Sequence, residues 1–157
     1  MEKLIRWVEE KGIDVEELIL SALSRVDLKE SIKLRIELAE KYMAEAFKYL
    51  DKGDAVQASE KAYKAAEEVV KALSEKFNLP EYKRAVKEGR WYNYMLSKAS
   101  STLSTKLGNW VLDGWSIAYF LHVWGFHGVK LTTSDITSYL NRVKEMLEEA
   151  KRVLNKG

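Results

Sequence analysis

Cysteine is absent from the 157-residue chain, which excludes a disulfide framework, thiolate nucleophiles and cysteine-ligated metals. Proline occurs once and glycine eight times, too little turn chemistry for a β-rich fold and well suited to long uninterrupted helices. Glutamine appears only at Gln57 while Lys and Glu abound, a balance resembling that of thermophilic proteins. Neither sign of charge prevails: 26 basic against 24 acidic residues leave a net +2. No global field would recruit a nucleic acid, so any such site has to be a local patch. The opening MEKLIRWVEEKG lacks the unbroken apolar core of a signal peptide. The longest apolar stretch, residues 110–126, is 17 residues interrupted by Asp113, Gly114 and His122, short of the ~20 that a bilayer span needs. These absences point to a cytoplasmic protein with no membrane association.

What is present is a globular balance, 46% hydrophobic and 32% charged, in a length that suits one domain with a substantial core. No segment alternates at period two, so the class is all-α. Leu4, Ile5, Trp7 and Val8 mark one side of a short opening helix that ends at Gly12. Asp14 with Glu17 reads as a capping box before a second helix with Val15, Leu18, Ile19, Ala22 and Leu23 inward. Asp27 and Glu30 repeat that spacing and open a long helix carrying Leu28, Ile32, Ile36, Ala39, Met43, Ala46, Phe47 and Leu50 at helical period. Gly53 stops it and Asp54 starts the next at once, which makes the two antiparallel neighbours. Small residues at Ala55, Ala58, Ala62, Ala65 and Ala66 let those axes approach closely. Pro80 suits the first turn of a short helix ending at Gly89. Met95, Leu96, Ala99 and Leu103 give the following helix its inward side, and Thr132 with Asp135 caps a last one carrying Ile136, Leu140, Val143, Leu147 and Ala150. The expected architecture is a single helical domain over 1–157: an up-and-down bundle of four or five helices, residues 28–155, with two additional N-terminal helices, residues 1–26, attached to it.

The chemistry concentrates in WVLDGWSIAYFLHVWGFHG, residues 110–128, which holds three of the five tryptophans and both histidines. Apolar nearly all round, it reads as a helix buried among neighbours and stopping near Gly125, the usual left-handed cap residue. Residues five apart in an α-helix diverge by about 140°. His122 and His127 therefore meet only if the helix breaks at Gly125 and the second imidazole folds back.

Residues 54–73, DAVQASEKAYKAAEEVVKAL, together with LHVWGFHG at 121–128, resemble the archaeal PaREP family, whose helical bundle belongs with the HEPN (higher eukaryotes and prokaryotes nucleotide-binding) proteins. The resemblance covers roughly residues 28–155. It implies a homodimer that recognises a nucleotide or RNA and, by family analogy, a nucleotidyltransferase partner. In active HEPN ribonucleases an arginine is followed four to six residues later by a histidine near the dimer interface. Here His127 matches the histidine, His122 stands where the arginine would be, and no arginine occurs from Trp91 to Asn141. A guanidinium grips phosphate bidentately and an imidazole does not, so the resemblance favours a binding or interaction module over an enzyme. The alternative is a metal-independent ribonuclease in which His122 and His127 divide acid and base roles, with Lys106, Lys130 or a partner chain gripping phosphate. A purely structural dimer is the third reading.

Trp115, Tyr119 and Trp124 are the candidate binding residues of the same stretch. A second candidate is YKRAVKEGRWYNY, residues 82–94, where Lys83, Arg84, Lys87 and Arg90 adjoin Trp91, Tyr92 and Tyr94: cations for a phosphate backbone beside rings on which bases stack. A solvated helix followed by core aromatics accounts for the same letters. Asp113 with the two histidines makes a poor metal set, because the histidine spacing departs from the i, i+4 pair that shares a helical face; no metal and no cofactor is expected. The hydroxyls of Ser97, Ser100, Ser101, Thr102, Ser104 and Thr105 read as a solvated or interhelical face.

Overall fold

In the computed structural model, which describes residues 1–156, the chain forms α1 (Glu2–Glu10), α2 (Val15–Val26), α3 (Leu28–Asp51), α4 (Ala55–Lys76), α5 (Pro80–Glu88), α6 (Asn93–Leu107), α7 (Trp110–Phe120), a π-helical segment (Leu121–His127) and α8 (Thr133–Asn155). No strand occurs among the described residues, in line with the all-α expectation, and no helix is long and apolar enough to cross a membrane.

The central element is α4 rather than the tryptophan-rich stretch. Ala58, Ala62, Ala65, Ala66 and Ala72 have no exposed surface, and their small side chains let α3 lie alongside in the most extensive pairing of the fold. Around its remaining circumference α4 meets α5, α6, α7, the π segment and α8. The core that results joins Ile36 and Met43 of α3, Leu73 of α4, Leu96 and Leu103 of α6, Val111 of α7, and Leu140 and Met146 of α8.

Capping follows the sequence in part. Asp14, Asp27 and Asp54 each accept the backbone N–H three residues on, satisfying one orphan donor per helix. Only Thr132 and Asp135 close the reciprocal box. Glu17 cannot close its own, because its carboxylate is turned inward to Arg35.

That turn overrides the apolar pattern of the N-terminal helices. The buried side of α2 is Glu17, Leu20 and Ser24, whereas Leu18, Ile19 and Ala22, expected inward, are exposed. Arg35, 1% exposed, is held by Glu17 at 2.9 Å, Glu68 at 2.9 Å and Glu75 at 2.5 Å. Lys71 adds contacts to Glu17 and Glu68 at 3.3 and 3.4 Å. Burial alone would lower the arginine and lysine pKa values; the surrounding carboxylates outweigh it and hold both above their ordinary range. A buried guanidinium requires such partners, and α2 supplies one by rotating Glu17 inward at the expense of its apolar side. Ser24 accepts from the Tyr82 hydroxyl at 2.9 Å, a second tie between α2 and the bundle. Helix α1 buries no residue at all, so the expected inward side of Leu4, Ile5, Trp7 and Val8 is at best half covered.

Candidate functional site

Gly125 does not end a helix. Beyond Phe120 the α-helix widens into π geometry through His127, and Gly128 donates to the Val123 carbonyl, five residues back, at 2.8 Å. A π turn stacks residue i+5 close above residue i. The obstacle seen in an α-helix is thereby removed without a break. The imidazoles of His122 and His127 lie with Nε2 atoms 3.2 Å apart and ring planes at 82°. What Gly125 provides is proximity: a Cβ there would lie 2.5 Å from the Cβ of Ser59 and overlap its hydroxyl, so the missing side chain lets the π segment press against α4.

From α4, Glu60 reaches Nδ1 of His122 at 2.9 Å. The network assigns the tautomers. Nδ1 of His122 donates to the Glu60 carboxylate; its Nε2 then accepts from Nε2–H of His127, leaving Nδ1 of the exposed His127 as the free basic atom. The three groups stand in series, half-buried carboxylate to exposed imidazole. Both nitrogens of His122 are occupied, so the acid and base roles that the sequence divided between two imidazoles meet at one outward histidine. Asp113 takes no part: it lies nine residues before His122, roughly 13 Å along the helix, and the carboxylate that joins the histidines is Glu60. Among the described residues no cluster of three or more His, Asp or Glu side chains is gathered for a metal ion.

Tyr63, one turn after Glu60, stacks on His122 with centroids 3.9 Å apart and donates its hydroxyl to Oδ1 of Asn93 at 2.7 Å. Burial, with the negative charges of Glu67 and Glu60, drives its phenol pKa well above the ordinary range, so it stays a hydrogen donor. Glu67, one further turn along, is itself pushed up to about 7 by burial and by the carboxylates of Glu68, Glu60 and Glu17 against the opposing pull of Lys71.

The sequence-derived candidates separate into three groups. Tyr119 and Trp124 are exposed, and Tyr119 stands 6.2 Å from the His122 ring; these remain available to a ligand. Trp115 is buried and donates its indole N–H to Ser97 at 3.0 Å, a wall of the core rather than a binding surface. Lys83, Arg84, Lys87 and Arg90 are all exposed; Arg84 pairs with Glu88, and Arg90 lies 4.3 Å over Tyr92, which stacks on Tyr94. Ser97, Ser101, Thr102 and Thr105 face solvent and Ser100 caps back onto Leu96, the solvated face expected. Sequence reasoning missed Glu60, Tyr63 and Glu67. Their spacing by three and four residues along an otherwise alanine-rich helix was the available signal: a polar stripe on an element that the rest of its composition buries.

A helical bundle built around a small-residue central helix, with a carboxylate and two histidines in series at one π turn, defines the class of protein. The chain belongs to the archaeal PaREP1/PaREP8 family, whose model matches residues 34–147. It is similar to the crystal structure of a Sulfolobus solfataricus protein, target SsR10, at 37% identity, covering 74% of this chain and 96% of that one with a TM-score of 0.70. A solution structure under the same target name gives 40% identity, 74% and 90% coverage and a TM-score of 0.64. Among curated proteins there is no match.

Proposed function

We propose that this protein is a HEPN-like binding module, working as a homodimer, that takes a nucleotide or single-stranded RNA across the surface between His127 and the Arg90–Tyr92–Tyr94 stack. The observation that carries the reading is Tyr63, whose ring stacks on His122 while its hydroxyl holds Asn93. Two candidates separate in sequence are thus neighbours through one side chain. Exposed Lys87 and Arg90 supply charge for phosphate, and Tyr92, Tyr94, Tyr119 and Trp124 supply faces on which bases stack. Fluorescence anisotropy with a short single-stranded RNA tests it: affinity should fall steeply with added salt through counterion release, and the slope should flatten when Lys83, Arg84, Lys87 and Arg90 all become Gln. No binding at low salt, or binding indifferent to those four changes, overturns the reading.

The series Glu60–His122–His127 supports a second reading, metal-independent RNA cleavage with His127 as the group that takes and returns the proton. Cleavage would persist in EDTA and fall by a factor on the order of 10² in a folded His127→Ala variant. The missing arginine keeps this reading second, because nothing beside His127 grips phosphate in two places.

A further inference from the structure

Helix α1 is a problem in physical terms. It has nine residues, no side-chain cap and no buried residue, and helices this short do not hold themselves together in water. Its charges are divided against its own dipole, which Glu2 in the first turn and Lys11 at the C-cap favour. Lys3 and Arg6 lie in the half whose backbone end is positive and Glu9 and Glu10 lie in the last turn, while Lys11, the C-cap, lies 5.5 Å over the Trp7 ring. Arg6 precedes Glu9 and Glu10 in the less favourable order for pairs within one helix. Among the described residues, none of Glu2, Lys3, Arg6, Glu9 and Glu10 finds an ion-pair partner. Leu4 and Trp7, one turn apart, are both 56% exposed. Within the chain, α1 is packed principally on α2, whose Leu18 and Ile19 are also turned outward.

A second copy of the same helix would resolve each of these features, and we propose that α1 pairs antiparallel with α1 of another copy of this chain. A twofold axis passing near Trp7 sets the Lys3–Arg6 half of one helix against the Glu9–Glu10 half of the other, twice over, since such an interface is the same patch on both partners. The opposed dipoles of antiparallel helices favour the same arrangement. Leu4 and Trp7 form the apolar seam, with the charges flanking it as the flanking positions of a coiled coil do. Basic or acidic partners fit less well, because α1 presents both signs, with Lys3 and Arg6 outweighing Glu2 in its first half and Glu9 and Glu10 outweighing Lys11 at its end. The surface lies outside residues 34–147, the family-matched region, so this pairing belongs to the arm and stands whether or not the bundle binds RNA.

Sedimentation velocity across roughly 1–100 µM, a range spanning a contact of a few anchoring side chains, tests the proposal on the full chain. The parent should move from the 18.1 kDa monomer toward twice that mass. Trp7→Glu should stay monomeric with an unchanged thermal midpoint, since α1 contributes nothing to the core, and lose no more helicity than the nine residues of α1 supply. The decisive arm is a charge exchange. K3E/R6E and E9K/E10K chains should each self-associate at least tenfold more weakly than the parent, and an equimolar mixture should recover the dimer. A parent that is monomeric throughout, a dimer that survives Trp7→Glu, or a mixture that fails to pair overturns it. A dimer surviving every α1 change would place pairing on the bundle and leave the RNA reading untouched.

Discussion

Glu60 shows how little of a site's chemistry need be visible in the residues that advertise it. Both histidines were legible at once because the chain has only two. The group that orients them was not, because a glutamate in a Lys/Glu-rich helix carries no distinguishing mark until the fold turns it toward Nδ1 of His122. Its role can be read directly: nitrogen-15 shifts of the imidazoles should report His122 protonated at Nδ1 in the parent, and Glu60→Gln should mix the tautomers while leaving the fold intact. Unchanged shifts would mean that the carboxylate does not set the tautomer. Glu67 makes a separate prediction through its protonation. Its pKa, raised to about 7 from an ordinary carboxylate value, means that the folded state holds the proton more tightly than the unfolded chain does. The associated stability is present at low pH and is lost as pH rises toward and through 7. Glu67→Gln, which removes the charge, should match the parent in chemical denaturation at about pH 4, below the ordinary carboxylate value, and exceed it at about pH 8 by about 1–3 kcal/mol, the lower figure applying because the side chain keeps some solvent contact. Equal gains at both pH values would refute an ionisation cost.

Helices α3 to α6 and α8 were legible because their inward positions keep helical period and their ends carry Asp, Pro, Gly or Thr signals. The π segment was not, since it requires the same apolar letters as an α-helix and differs only in which carbonyl each amide finds. Gly125 was misread for the same reason: a glycine late in an apolar helix usually marks a cap, and here it marks a contact with Ser59. Gly125→Ala should destabilise the fold by about 1–3 kcal/mol, the usual range for overpacking, and draw the imidazoles apart; Ser59→Gly in the same chain should recover part of the loss. The return from the π turn is strained at Val129, a β-branched residue at φ 50°, where valine is a genuine outlier and asparagine is tolerated. Val129 is 61% exposed, so Val129→Asn gives up little packing and should raise stability by roughly 0.5–1 kcal/mol. A loss of stability would show that the valine side chain matters to the turn in some way beyond its backbone.

The N-terminal helices join the rest of the molecule through ions more than through apolar contact, which is why their inward side could not be read from hydrophobic period. Leu20 is the one buried apolar residue of α2, beside Glu17 and Ser24, and Glu17 enters a cluster of two cations and three carboxylates that spans α2, α3 and α4. Arg35, Glu68, Lys71 and Glu75 all fall within the family-matched residues 34–147 while Glu17 lies outside them. The arm thus supplies the carboxylate that completes a charge cluster whose other members belong to the bundle. Two carboxylates still balance the two cations without Glu17, but its carboxylate accepts from Nη1 and Nη2 of Arg35 and from Nζ of Lys71, and weakening those buried charge-assisted hydrogen bonds costs on the order of 1–3 kcal/mol. Glu17→Gln should therefore lower the thermal midpoint by roughly 5 °C for a chain of this size. Because these charges are out of water, the deficit should persist at high salt, where a surface pair would already be screened. Glu40→Gln, which breaks the exposed pair with Lys151, serves as the contrast and should shift the midpoint by little at any salt concentration. Exchanging Arg35 and Lys71 for Met together with Glu17, Glu68 and Glu75 for neutral partners of similar volume should recover much of the stability that Glu17→Gln alone removes, since replacing both cations along with their carboxylates leaves no orphaned charge. If Glu17→Gln instead melts with the parent, the arm is held by its few apolar contacts and the cluster is complete without it.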